Sequence, residues 1–316
     1  MDGGPDGITM VGEAKSTAAQ GETLPLAAPE RGVRPGLLAP SRLLALARRK
    51  PLGAAALALL VVLWALCLLA PVLAPYGYDQ LFTAPRLTAP SSAHIFGTDE
   101  SGRDVFSRLL FAGRLSLTLS LATTVFGVAL AVLFGVVSGY AAGWFDLVFQ
   151  RITDAFQALP ILVILLVLAA LYQGNRIVIV TAVALLFAPA AGRLFRSATL
   201  ALRDQPFVEA ARVTGASPLR IVLTHVMPNL YPLIIVFATA YVGANILLLA
   251  VLSFLGFING DYPDWGSMLN LSAATYMVSA PWLVLAPGIA ITLAVLAYNL
   301  LGDSLRDILD PRLRGS

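Results

Sequence analysis

The side chains able to do chemistry are few. The 316 residues hold two histidines, His94 and His225, and one cysteine, Cys67. The histidines are far apart and H-E-x-x-H is absent, so no zinc-site spacing is present. Asp99, Glu100 and Asp104 crowd one stretch, but without the spacing of an EF-hand. Their neighbours Arg103 and Arg108 suit ion pairing, and an aspartate just before an apolar run suits a helix cap. A phosphate-cradling G-x-x-x-x-G-K-[ST] loop needs glycine before lysine. Lys15 follows Ala14 and Lys50 precedes Pro51, and these are the only lysines. The sequence therefore predicts no catalytic residue, no metal site and no nucleotide or other cofactor bound by this chain.

The elements carrying these residues are apolar. Hydrophobic residues make up 58% of the chain and charged ones 12%, and the mean hydropathy is +0.81. Ordinary soluble domains are about half apolar and about a quarter charged. The excess points to a bilayer as solvent. A net charge of +3 argues for no nucleic-acid partner. A single cysteine rules out an intrachain disulfide and leaves the redox compartment open.

A helical span needs about 20 apolar residues. Six segments qualify: about 51–74, 115–140, 155–173, 177–195, 230–257 and 281–301. They are continuously apolar rather than alternating, which excludes barrel strands. The expected fold is all-α and polytopic, a membrane domain over 41–316 preceded by a disordered tail over 1–40. The tail is rich in Gly, Ala, Pro, Ser and Thr and lacks apolar periodicity. Six spans put both termini on one side. Lys50, Arg151, Arg193, Arg196, Arg203, Arg212, Arg220 and Arg306 fall on the same side as the termini. The other side carries fewer arginines, partly offset by Asp79, Asp99, Glu100 and Asp104. The positive-inside rule then makes both termini cytoplasmic. Asn245 is the most polar residue in the middle of a span and a candidate for a translocation path, although a helix–helix hydrogen bond accounts for it equally well.

The longest inner segment, 196–229, reads as two short helices. Asp204, Pro206 and Glu209 suit a helix start. Gly215 suits a left-handed stop, Ser217-Pro218 a second start, and Pro228 a second stop before the fifth span. The first helix places Phe207, Val208, Ala210 and Ala211 beside Glu209 and Arg212. By physics alone it either docks on another protein or lies flat at the membrane interface.

Glu209-Ala210-Ala211, Gly215 and Pro228 resemble the EAA loop of ABC importer permeases, which runs E-A-A, three residues, G, nine residues, I-x-L-P. This chain departs from it in carrying His225 and Met227. His225 and Pro228-Asn229 resemble the dipeptide, oligopeptide and nickel subfamily. His94 through Arg108, with Gly97, Thr98, Asp99, Gly102, Arg103 and Asp104, is similar to an H-x-F-G-T-D-x-x-G-R-D-x-x-S-R-L signature of that subfamily's C-type subunit. So is Trp265-Gly266 to its W-G-x-M-L loop, and Gly302, Asp303, Arg306, Asp307 and Asp310 to its C-terminal G-D-x-L-R-D-x-L-D-P-R.

The resemblance implies a permease of type I importer fold in the cytoplasmic membrane. It would pair with a homologous B-type permease, two cytoplasmic ATPases that use the ATP, and an external solute-binding protein. Glu209, Ala210, Ala211, Gly215, His225 and Pro228 would form the ATPase-coupling helix and its return to the membrane. The implied cargo is di- or oligopeptide, with nickel chelates or glutathione as alternatives within the family. An ion channel or secondary transporter is the rival class, but the span centres carry no acids or bases for coupling. An intramembrane enzyme would need paired catalytic groups at matched depth, and the spans supply none.

Overall fold

The computed structural model describes residues 50–172, 175–258, 260 and 262–309, with backbone alone at 271–274. The expected tail over 1–40 and Asp310 lie outside the described residues. Every regular element described is helical; the one β-type contact is an isolated bridge between Thr98 and Asp104.

Helices α1 (Pro51–Leu68) and α2 (Ala70–Leu73) lead into an irregular segment and then α3 (Val105–Ala141). Helices α4 (Gly143–Gln157) and α5 (Ile161–Leu171) follow, then α6 (Arg176–Arg203), α7 (Pro206–Val213) and α8 (Pro218–Ile221). A π-turn (Val222–Val226) joins α8 to α9 (Met227–Phe254), and α10 (Trp265–Thr275) and α11 (Trp282–Leu309) close the order. Among the described residues, five helices are long and apolar enough to cross a membrane, or six if α4 and α5 count as one span. The chain alternates between two ends of the bundle. One end holds His94–Asp104, and the other holds Glu209.

Three details differ from the sequence expectation. The third span, expected at 155–173 as one rod, falls instead on two helices, α4 and α5, bent by 72° at the Pro160 break, the form of a broken span or a re-entrant loop. Proline cannot donate to the preceding turn, and its ring disfavours helix in the residue before it. The fourth span does not stop near Arg193 but runs on to Arg203. Arg193 pairs with Asp154 of α4 and Arg196 with Asp146, so the charges that argued for an end are compensated from another helix. Finally, Pro228 does not stop the second short helix. The chain is helical from Pro218 to Phe254, and the π-turn accommodates the proline. Met227 N–H donates five residues back to the Val222 carbonyl. The Asn229 side chain donates to the His225 carbonyl at 2.7 Å, adding a local bond beside the position where Pro228 has no N–H.

Close packing is set by small residues. A methyl added at Gly135 would meet the Gly192 carbonyl and, at 2.7 Å, Phe195 Cβ; one at Gly139 would meet the Arg196 carbonyl at 2.8 Å. Small side chains allow this approach of α3 to α6, as is usual between helices in lipid. The apolar cluster around Phe195, Ala188 and Val132 unites α3, α6, α7 and α9. A second, around Trp265, unites α1, α3, α9, α10 and α11. Large apolar side chains are also exposed, Val61, Val72, Leu133, Leu247 and Leu285 among them. With apolar residues both inside and outside, the bundle suits a bilayer rather than water.

Candidate functional site

The helix–glycine–helix at the Glu209 end has the form the sequence predicts. Pro206 opens α7, and its N-cap, Gln205, makes no side-chain cap. Val208 (0% exposed) and Ala211 (8%) face the bundle, packed in the cluster with Phe195, Ile221, Val226 and Leu230. Small Ala211 lets α7 lie close. Glu209, Ala210 and Arg212 face outward, and the Glu209 carboxylate has no hydrogen-bond or ion-pair partner among the described residues. It therefore supplies no hydrogen-bonded cap; it lies in the first turn of α7, facing outward, where an outside partner can reach it.

The helix ends in a Schellman arrangement. Gly215 N–H donates to the Arg212 carbonyl (3.0 Å) and Ala216 N–H to the Ala211 carbonyl (3.1 Å). Gly215 sits at φ +79°, which costs a side-chain-bearing residue energy but glycine none. Ser217 Oγ then accepts from Arg220 N–H, and Pro218 starts α8. His225 Nδ1 lies 2.8 Å from Thr224 Oγ1. Between α7 and α8 lies a hollow of about 470 Å³ floored by Ala211, Gly215 and Ala216 and edged by Phe207, Arg220 and His225. Val213 and Leu219 stand out beside it, 83% and 69% exposed. The arrangement is a short capped peg, fixed at its base and presenting apolar and charged groups outward.

The opposite end is a closed polar knot. Asp104 caps α3, accepting from Ser107 N–H (2.8 Å) and Ser107 Oγ (2.7 Å), and its other oxygen lies 2.8 Å from His94 Nδ1. Asp99 accepts from the N–H groups of Ser101 and Arg103 and from Arg103 Nε at 2.7 Å. Arg108 lies 3.5 Å from the same carboxylate. Gly97 and Gly102, at φ +70° and +71°, pass so close to the Thr88 and Ala84 carbonyls that a methyl would meet them at 2.5 and 2.6 Å. Thr98 Oγ1 donates to the Pro85 carbonyl. These residues tie the irregular segment to α3 and α11. Nearby, burial pushes the Tyr262 phenol above its usual value, against the field of Arg114.

The remaining sequence candidates separate. Gly302 is buried against α9, where a methyl would stand 3.5 Å from Ala240 N. Asp303 and Arg306 are not buried, and Asp307 bonds Lys50 Nζ at 2.6 Å, tying α11 to the start of α1. Asn245 is 0% exposed and donates to Thr124 Oγ1 of α3 at 2.9 Å, the helix–helix bond that the sequence offered beside a path role. It is a helix–helix bond, as polar groups in lipid-embedded bundles commonly are. Sequence reasoning missed two buried carboxylates, Asp264, which accepts from Ser253 Oγ and caps α10, and Asp146. Asp146 of α4 accepts from both Nε (2.5 Å) and Nη2 of Arg196 and from Ser138 of α3. Its only sequence signal was an aspartate beside apolar runs.

An apolar helical bundle with a short capped peg at one end suits a membrane permease subunit. Residues 131–315 match the family described as the binding-protein-dependent transport system inner membrane component. Residues 47–90 match the N-terminal TM domain of oligopeptide transport permease C. The chain is 41% identical over 271 residues to the glutathione transport system permease protein GsiD of Escherichia coli, covering 85% of this chain and 89% of that protein. It is 38% identical over 268 residues to GsiD of Pectobacterium atrosepticum, covering 84% and 89%. The chain belongs to the inner-membrane permease family of binding-protein-dependent ABC importers.

Proposed function

We propose that this permease pairs with a homologous B-type permease to import short peptides, driven by two cytoplasmic ATPases and supplied by an external solute-binding protein. Glutathione, itself a tripeptide, is the first cargo to test, because relatives at 41% identity carry its name. The chain binds no nucleotide or other cofactor; ATP is used by the ATPases, and nucleic acid has no part.

The observation that carries the reading is α7. It stands at the end of the bundle with Glu209 unpartnered and Val213 exposed, while Val208 and Ala211 root it in the core. Swinging a two-state gate from 1:99 to 99:1 takes about 5.5 kcal/mol of differential binding. A rooted, capped helix passes on such work, whereas a loose loop dissipates it. The Glu209 end also carries Lys50, Arg151, Arg193, Arg196, Arg203, Arg212, Arg220 and Arg306. At the other end Arg103 and Arg108 are matched by Asp99 and Glu100. The balance supports a cytoplasmic Glu209 end, with both termini cytoplasmic.

The test is purification in mild detergent from cells that co-express this chain with a B-type permease, the ATPases and a binding protein. The expected result is a complex of this chain, a second permease and two ATPases that imports glutathione into proteoliposomes only with ATP and binding protein. Transport by the chain alone down a gradient would favour a channel instead.

A further inference from the structure

We propose that a single buried water is bound between α3 and the cap of α10, held by Asp264, Ser116 and Ser120; the inference does not rest on the importer reading. Asp264 stands just before α10 and is 6% exposed. Its Oδ1 accepts from the N–H groups of Gly266 (2.9 Å) and Ser267 (3.0 Å), and its Oδ2 from Ser253 Oγ of α9 at 2.7 Å. A carboxylate offers about four acceptor positions, so one is left on Oδ2. The next residue, Trp265, donates its N–H to Ser116 Oγ of α3 at 3.0 Å. A serine hydroxyl also has one proton to give, and that of Ser116 meets no acceptor among the described residues. One turn along α3, Ser120 is 0% exposed and donates to the Ser116 carbonyl at 2.7 Å. Its oxygen accepts from no donor among the described residues.

These three residues line one hollow. It measures about 20 Å³, and the buried side chains of Ile246, Leu249 and Ile258 close its apolar side. One water needs about 10–15 Å³ and two to four polar partners, whereas small-molecule sites run to ~300–1,000 Å³. The hollow therefore takes one water and no cargo. The water donates to Asp264 Oδ2 and to Ser120 Oγ, and it accepts the Ser116 proton. Three bonds are the usual number for a buried water. An apolar filler would leave all three groups short of a partner, which is costly inside a bundle that water does not otherwise enter. A metal cation would use oxygen lone pairs alone and leave the Ser116 proton unplaced. The water thus ties the cap of α10 to α3, as Ser253 ties it to α9.

The test is a cryo-electron microscopy map of the full chain in nanodiscs, alone or in its complex, at a resolution that shows ordered water. The expected result is a peak within hydrogen-bond distance of Asp264, Ser116 and Ser120, and its loss in Ser116→Ala. No peak in the parent, or a direct bond from Ser116 to Asp264 that closes the hollow, would overturn the proposal. A peak that persists unchanged in Ser116→Ala would overturn it too. Should that variant fail to fold, the parent map decides alone. Unfolding midpoints of the parent are also read in sodium, potassium and choline chloride. A water site predicts equal midpoints. A rise with sodium or potassium alone that disappears in Ser120→Ala would assign the hollow to a cation and sink the water reading.

Discussion

Gly215 has open space where a Cβ would sit, so its φ of +79° is its only demand on side-chain type. Gly215→Ala should then cost roughly 1 kcal/mol of backbone strain and leave the complex assembled. If the bend fixes the angle of α7, ATP hydrolysed per glutathione imported should rise in proteoliposomes. Gly215→Asn, which tolerates the left-handed region better, should restore much of the coupling. Equal behaviour of the two variants would mean that the bend is not what matters. Glu209→Gln removes an exposed charge without a partner, so its melting curve should match the parent while coupling falls. Asp104→Asn is the reverse case. The carboxylate is 2% exposed and bound by His94 and Ser107, so weakening this cap and these bonds should cost roughly 2 kcal/mol, read as a lower unfolding midpoint in detergent. The cap at Asp104, the stop at Gly215 and the start at Ser217-Pro218 were legible in sequence because a cap bonds within three or four residues of itself. Asp146 was not, because its partner Arg196 lies 50 residues away.

At the level of elements, α3, α4 and α6 meet at the Glu209 end through Asp146, Arg196 and Ser138. The pair is only partly buried, so removing one partner should cost roughly 1–2 kcal/mol, less than for a fully buried pair. Arg196→Gln and Asp146→Asn should each lower thermal stability by that order, and the double variant should cost less than the sum. A double-mutant cycle in detergent measures the difference; strict additivity would show that the pair is not coupled. Gly135→Ala should also destabilise, by forcing α3 away from the Gly192 carbonyl. Hydropathy found the six apolar segments because lipid demands about 20 apolar residues in a row. It did not find the bend at Pro160 or the π-turn before Pro228. The same residue type interrupts one helix and is absorbed by another, depending on whether nearby backbone can widen and a side chain such as Asn229 can supply a local bond.

For the whole molecule the consequence is directional. If the Glu209 end is cytoplasmic, Val213→Cys, 83% exposed in the parent, should react with an impermeant thiol reagent only in inverted vesicles. Reaction in intact spheroplasts would reverse the topology and remove α7 from any cytoplasmic ATPase. The sequence by itself determined that the chain is helical, that it lives in a bilayer and that it carries a capped peg in the ABC importer pattern. Those features follow from composition, from runs of about 20 residues and from bonds between near neighbours. The tertiary structure decided that Asn245 bonds Thr124 of α3, that Asp146 and Arg196 join α3, α4 and α6, and that the chain bends by 72° between α4 and α5. These depend on which distant residues meet, and meeting is fixed by how closely the small residues of α3 and α6 let the helices approach.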